Sequence, residues 1–329
     1  MTLRHPFKRT AARIAAAATL ITLAGFSGQA LAQAYPAKPL KFVVPFSAGS
    51  ATDAVGRIIA QAMGEALGQA ATVENKAGAN GILGAEMVKG APSDGYTFLV
   101  TTSTTQAANV SLYKKLSYDP VKDFTPIGKI GETGFILMVQ ADFAAKDMKE
   151  FIAYAKAHPG KLAYGHGSSG SLVSAALLGQ MAGLEVLNVP YKSIPPALTD
   201  LLGGQIQFAF ADVGNAVSQM NGGRLRGLGV TTAKRAGKAP QIPPIGDTVK
   251  DYAVGAWFGL MAPANLPADV KAKVGTAFAA VMAKPEVREK ITAAGIDVDY
   301  QDAAQLAKTI DAEIKKWSLW VKAANITPE

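Results

Sequence analysis

Short apolar segments typical of buried strands alternate with amphipathic helical segments along most of the chain. The predicted strands cover residues 40–44, 97–101, 135–139, 162–165, 186–189, 206–211 and 225–230, and the main helices between them cover 54–67, 148–158, 171–183 and 196–202. A strand that is apolar at every position is buried on both faces, which a parallel sheet between two helical layers provides. The pattern therefore predicts an α/β protein whose sheets are mostly parallel and flanked by helices.

The number of strand–helix units indicates two lobes. A single sheet seldom holds so many units, and from residue 269 onward only helices are predicted, at 269–283, 285–294 and 303–324. Glycines interrupt the pattern near residues 131–134 and 254–257, where we expect the chain to cross between lobes. We predict that lobe 1 comprises residues 35–133 and 257–329, and that lobe 2 comprises residues 134–256.

Residues 1–34 have the pattern of a secretory signal peptide. Four basic residues and no acidic residue precede an apolar run at 14–26. Small residues follow it, and cleavage is predicted after Ala32 or Ala34. The apolar run is too short for a membrane-spanning helix, which needs about 20 residues. We therefore expect an exported, periplasmic protein.

Composition excludes several classes of function. The chain has no cysteine, which rules out thiol nucleophiles, iron–sulfur clusters and thiolate zinc sites. Four of the 33 basic residues lie in residues 1–34, so the remainder carries 29 basic and 25 acidic residues, a net charge of +4. These basic residues are scattered and lack interleaved aromatics, so we expect no nucleic-acid partner.

The first strand leads into a glycine-containing turn and then a helix, across residues 45–53. The unpaired N–H groups and partial positive charge of a helix start suit an anion, and ligands of open α/β sheets bind at the carboxyl ends of strands. The alternative is that Thr52 or Asp53 only caps the helix. The residues alone leave both interpretations open.

A second turn, residues 165–171, reads Gly-His-Gly-Ser-Ser-Gly-Ser and precedes another helix. Its amides and hydroxyls suit a carboxylate. The same residues satisfy G-x-G-x-x-G, but a dinucleotide site also needs an acidic residue after the next strand, where Pro190-Tyr191-Lys192 stands. We therefore expect no nucleotide and no other cofactor.

Catalytic patterns are weak in this chain. It has no G-x-S-x-G sequence, and beyond residue 34 its histidines are His158 and His166, whose separation gives no metal-binding spacing. Polar residues also follow strands at 101–105, at 191–193 and at Asp212. If two lobes face each other, these segments and the two turns form one cleft of neutral donors, which predicts binding rather than catalysis. An exported hydrolase of small esters or amides is the alternative.

Several longer segments resemble one known family. They include Pro45-Phe46-Ser47-Ala48-Gly49-Ser50-Ala51-Thr52-Asp53, residues 73–81 (VENKAGANG), 92–97 (PSDGYT), 118–124 (YDPVKDF), 196–205 (PALTDLLGGQ) and 257–263 (WFGLMAP). In this order, over essentially the whole chain after residue 34, they resemble the tripartite tricarboxylate transporter receptors, also called Bug extracytoplasmic solute receptors. The resemblance implies a two-lobed, type II-like periplasmic binding protein that closes on a small dicarboxylate, aromatic acid or amino acid.

The resemblance also implies partners and binding residues. The partners would be the carboxylate ligand and the permease subunits of a membrane transporter; a sensor role is an alternative, and we expect a monomer. In the first lobe the implied ligand-binding residues are Phe46, Ala48, Gly49, Ser50, Asp53, Thr101 and Ser103. In the second lobe they are Ser168, Ser169, Ser171, Tyr191 and Asp212, to which the glycine-rich turn adds His166. Ser50 stands where the family usually has glycine, and we expect no arginine clamp in the cleft.

Overall fold

The computed structural model describes residues 35–329, so the predicted signal peptide at residues 1–34 lies outside the described residues. The strands are β1 (Leu40–Val44), β2 (Ala71–Asn75), β3 (Thr97–Thr102), β4 (Phe124–Thr133), β5 (Phe135–Gln140), β6 (Leu162–His166), β7 (Val186–Pro190), β8 (Phe208–Asp212), β9 (Leu225–Val230), β10 (Ala256–Pro263) and β11 (Asp297–Asp302). Among residues 35–329, no helix is both long and apolar enough to cross a membrane.

The α-helices lie between and after these strands. They are α1 (Ala51–Leu67), α2 (Ile82–Lys89), α3 (Asn109–Leu112), α4 (Met148–Ala157), α5 (Ser169–Ala182), α6 (Ile194–Leu202), α7 (Val213–Asn221), α8 (Ala268–Ala283), α9 (Pro285–Ala293) and α10 (Ala303–Ala323). A π-helical turn at Thr104–Ala108 precedes α3.

The strands form two mixed sheets. Sheet A has the order β11-β4-β10-β3-β1-β2, and sheet B has the order β7-β6-β8-β5-β9. β1 runs parallel to β2 and β3, and β6 runs parallel to β7 and β8. The remaining pairs are antiparallel: β10 with β3 and β4, β11 with β4, and β5 with β8 and β9.

The α/β class with two helix-flanked sheets is confirmed, but the prediction of mostly parallel sheets was wrong. The chain enters sheet B from sheet A at β5, and it enters sheet A from sheet B at β10. Both strands run antiparallel to the strands beside them. A continuous apolar strand indicates burial on both faces. It does not indicate strand direction, which is why the pattern missed this feature.

Helices alone were predicted after residue 269, and this too was wrong because β11 lies between α9 and α10. β11 is an edge strand that pairs only with β4 within the described chain, and its residues are partly or fully exposed. Its sequence, Asp-Val-Asp-Tyr-Gln-Asp, therefore lacks the apolar run of a buried strand. The edge strand β2 is partly buried at four positions and exposed at one, and it was missed for the same reason.

The chain passes from sheet A to sheet B between Thr133 and Phe135, and it returns to sheet A where β10 begins at Ala256. Both passages lie in the segments where crossings were expected. Residues Lys38–Glu329 form one compact unit, so the proposed lobe boundaries stay a prediction.

Helix α10 packs against both halves of the molecule, the half built on sheet A and the half built on sheet B. Its buried residues Trp317 and Val321 pack against Val173 of α5, beside sheet B, and against an apolar group beside sheet A made up of Ala107, Ala108 and Leu112. Trp317 has no exposed surface, and its indole Nε1 donates a hydrogen bond to Glu313 Oε2 at 3.1 Å. Burial of this side chain therefore stabilises both halves together.

We predict that Trp317→Ala lowers the free energy of unfolding by about 3–5 kcal/mol, because it leaves a large cavity at this junction. Urea denaturation would measure the change. Leu319→Ala on the same helix is the matched control, since Leu319 is 68% exposed and its truncation is expected to change stability by about 0.5 kcal/mol or less. Equal effects of the two substitutions would contradict the assignment.

Candidate functional site

One cleft lies where the carboxyl ends of β3 and β8, and the turns after β1 and β6, meet the amino ends of β5 and β10. It contains about 390 Å³ of space between atoms, its open mouth included. Residues from both sheets and their helices line it. They are Phe46, Ser50, Ala51, Thr52, Thr102, Thr104, Phe135, Gly167, Ser168, Ser193, Ile194, Asp212, Ala256 and Phe258.

The first turn is held by hydrogen bonds between its own residues. Ser50 caps α1, its Oγ accepting from the Asp53 amide at 3.2 Å, and the Asp53 carboxylate accepts from the Gly49 amide at 3.0 Å. Gly49 has φ 80°, a conformation that favours glycine. Asp53 also accepts from Asn75 Nδ2 at 2.9 Å and pairs with Arg57 at 3.0 Å. Asp53 thus fixes the shape of the turn.

The pKa of Asp53 reflects these contacts. Burial raises it, but the bonds from Arg57, Gly49 and Asn75 together outweigh burial and hold the pKa below its usual value. The carboxylate therefore stays ionised in its structural role. The two interpretations of this turn are compatible, since Ser50 caps the helix and also lines the cleft.

The second turn uses its serines on its own backbone. Ser168 caps α5, its Oγ accepting from the Ser171 amide at 3.3 Å, while Ser171 Oγ accepts from the amides of Gly167 and Ser168 at 3.1 Å each. A Cβ at Gly167 would overlap the backbone of Ser193, so only glycine fits there. Ser169 Oγ donates to Asn109 Oδ1 at 3.3 Å, which links the two halves.

Asp212 is the one ionisable side chain among the described residues that line the cleft. It ends β8 and lies opposite Phe135 in the antiparallel register. Burial raises its pKa to about 6, against smaller lowering effects of its own backbone amide and of Asn215. The rest of the lining is neutral, with hydroxyls from both halves and apolar walls that include Phe46 and Phe258.

A larger depression lies elsewhere on the surface. It contains about 1,100 Å³ of space between atoms and is lined by residues that include Lys89, Tyr113 and Asp119. None of the residues from the two turns lines it. The smaller cleft is the better candidate because it brings together strand ends and helix starts from both sheets.

The tripartite tricarboxylate transporter family receptor model matches residues 55–326 of this chain. The chain belongs to this receptor family. Its fold is also that of solved relatives. Rpa4515 of R. palustris, solved with adipate, is 31% identical with a TM-score of 0.87, and the match covers 90% of this chain and 100% of that one.

Two further solved structures are similar to this receptor. The periplasmic binding protein BugD is 31% identical with a TM-score of 0.85, covering 90% of this chain and 100% of that one. MatC from Rhodopseudomonas palustris, solved with malate bound, is 32% identical with a TM-score of 0.81, covering 87% of this chain and 100% of that one. The resemblance stated from the sequence is therefore confirmed.

Four of the residues proposed to bind ligand line the cleft of this receptor: Phe46, Ser50, Ser168 and Asp212. Ala48 and Gly49 are exposed in the first turn. Asp53, Thr101, Ser103, His166, Ser169 and Ser171 are buried outside the set of lining residues. The hydroxyl of Tyr191 donates to Asp200 Oδ2 at 2.7 Å. Their roles in binding stay predictions.

Sequence reasoning missed several lining residues, among them Thr52, Thr102, Thr104, Ser193 and Phe258. Most belong to segments that were already singled out: the first turn, the polar loop at 101–105, the loop at 191–193 and the segment at 257–263. The position of a segment in the cleft could be inferred from strand ends. Which side chain of the segment lines the cleft depends on backbone geometry.

His166 lies in the second turn as a buried, neutral imidazole. Its side chain is 7% exposed, and neither ring nitrogen has a hydrogen-bond partner among residues 35–329. Burial lowers its pKa from 6.5 to about 4, with the side chain of Asn188 as a smaller opposing influence. Folding therefore favours the neutral form over a wide range of pH.

We predict that His166→Gln removes part of the acid sensitivity of this receptor. The folded-state pKa lies below the unfolded value, so the contribution of His166 is fully present above pH 6.5 and is lost as the pH falls towards 4. The stability of the wild type relative to the variant should fall by roughly 3 kcal/mol over that range. Urea denaturation at several pH values measures this, with His158→Gln, at an exposed histidine, as the control. Parallel stability curves for the wild type and His166→Gln would contradict the prediction.

Proposed function

We propose that this receptor captures a small carboxylate in the cleft and delivers it to the permease subunits of a tripartite tricarboxylate-type membrane transporter. The observation that carries the proposal is the composition of the cleft between the two sheets. Ser50, Thr52 and Thr102 line one side and Ser168 and Ser193 line the other, and each of them carries a hydroxyl group. Such neutral donors can hold carboxylate oxygens from both sides.

The walls of the cleft support a ligand with a hydrocarbon part. Phe46 and Phe258 on one side, and Phe135 and Ile194 on the other, offer apolar surface between the hydroxyls. Pockets for small molecules commonly combine apolar walls with a few polar groups that fix orientation. The solved relatives that hold adipate and malate are in keeping with this arrangement.

Closure of two lobes would complete the site. The chain runs between sheets A and B at two places, and each sheet contributes part of the lining. A ligand that contacts both parts binds the closed arrangement more tightly than an open one, so binding shifts the population towards closure. The closed form would then be the one that the permease recognises.

We further propose that the receptor works as a monomer in the periplasm, exported by the signal peptide predicted at residues 1–34. Its closed cleft binds without reaction. A hydrolase would need a base beside a nucleophilic hydroxyl, and among the described lining residues no histidine is present, while Ser168 Oγ lies 3.2 Å from another serine, Ser171.

Thermal denaturation of the chain from residue 35 with a panel of dicarboxylates, amino acids and aromatic acids tests the proposal. An acid present at 100 times its dissociation constant should add about 2.7 kcal/mol of stability. Ala256→Trp places a large side chain in the cleft, so we expect it to abolish the shift, whereas Ala280→Trp on the exposed surface of α8 should keep it. A panel without any shift, or an equal shift in Ala256→Trp, would contradict binding in this cleft.

A further inference from the structure

Two polar residues of the cleft differ from the serine and aspartate residues that cap four other helices. Ser50, Asp147, Ser168 and Asp302 each begin a helix and accept a hydrogen bond from an amide of that helix. Ser193 and Asp212 also stand at the starts of helices, α6 and α7, but neither side chain makes a capping hydrogen bond. Both line the cleft on the side of sheet B.

The hydroxyl of Ser193 makes no hydrogen bond within the described chain. The residue is 1% exposed, and its Oγ has no hydrogen-bond partner among residues 35–329. A buried hydroxyl without a hydrogen-bond partner destabilises the folded chain. Ser193 is among the residues that line the cleft, so a molecule bound there can supply the missing partner once the side chains that cover Oγ move aside.

The carboxylate of Asp212 is unfavourable for an acidic ligand. No basic side chain is among the described residues that line the cleft, and Asp212 makes no ion pair within the described chain. A ligand carboxylate beside an ionised Asp212 would be repelled at short range in a site from which water is excluded. The hydroxyls of Ser50, Thr52 and Thr102 on the opposite side suit the ligand carboxylate better.

We propose that Ser193 and Asp212 form a subsite for a hydrogen-bond donor on the ligand, so that the receptor prefers an acid with an ammonium or hydroxyl group beside its carboxylate. This inference rests on the proposed function, since it concerns the same cleft. The donor bonds to the Asp212 carboxylate, and Ser193 Oγ completes its hydrogen bonds. An ammonium also neutralises the buried charge, whereas a hydroxyl supplies the hydrogen bond alone.

The partial burial of Asp212 is consistent with this role. Its raised pKa, about 6, reflects the cost of burying the charged form, which its own backbone amide and Asn215 offset only in part. A donor on the ligand offsets that cost when the cleft closes. A parent acid without the donor does not offset the cost of the buried charge. The receptor should therefore bind the donor-bearing acid more tightly than its parent.

Isothermal titration with three matched sets of acids tests the subsite: succinate, L-malate and L-aspartate; adipate and L-2-aminoadipate; 3-phenylpropionate, L-3-phenyllactate and L-phenylalanine. In the set that fits the cleft, a donor-bearing acid should bind at least about tenfold more tightly than its parent, since a hydrogen bond to a charged group contributes about 1.5–3 kcal/mol. Comparison of hydroxyl and amino members identifies the donor. Parent acids that bind as tightly as the others overturn the subsite but leave the proposed function intact. Failure of all eight acids to bind counts against the proposed function itself.

Substitutions test whether Ser193 and Asp212 cause the preference for the donor-bearing acid. Asp212→Asn should reduce the preference for the donor-bearing acid to about threefold or less, mainly by weakening that acid, and Ser193→Ala should reduce it in the same direction. Asp311→Asn, the same change on the exposed surface of α10, should keep the wild-type preference. Thermal denaturation without ligand checks that each variant is folded. A preference that survives both cleft substitutions overturns the assignment of Ser193 and Asp212.

Discussion

Two antiparallel strand pairings determine where the walls of the cleft lie. β10 pairs with β3 so that Phe258 is opposite Thr102, and β5 pairs with β8 so that Phe135 is opposite Asp212. Each pair sets an aromatic side chain beside a polar one at the carboxyl end of a strand that has a parallel neighbour. Because β5 and β10 follow the two passages of the chain between sheets, the same strands that connect the halves also line the site. Changes in the register of either pair would therefore alter binding and connection together.

Much of the fold could be predicted because buried strands and buried helix faces consist mainly of apolar residues. The predicted strands at 40–44 and 225–230 match β1 and β9, and helix α10 was predicted to within one residue of each observed end or closer. The strands β4 and β10 were not predicted although both are mostly buried, and glycines interrupt both of them. The other errors arose where burial is partial or does not indicate strand direction. The edge strand β11 has no apolar run, and the antiparallel direction of β5 and β10 depends on the path of the chain between sheets. No local pattern of residues records that path.

The candidate site was predictable by segment and less so by residue. Both turns were identified because each joins a strand to the start of a helix. In the structure, however, the side chains of Asp53 and Ser171 accept hydrogen bonds from amides of their own turns. The same residue types can build a turn or contact a ligand, and sequence does not separate these uses. Ser193 differs because its hydroxyl is buried and, within residues 35–329, unpartnered. That property exists only once the chain has folded around it.

The apolar cluster around Trp317 has a consequence for how the receptor can move. It contains residues from beside both sheets, and α10 carries its central side chains. Separating those residues would return buried apolar surface to water at a cost of about 25 cal/mol for each Å². A rotation about an axis through this cluster avoids that cost. If the receptor opens and closes as proposed, we therefore expect it to open widest at the points most distant from α10, which would serve as the pivot.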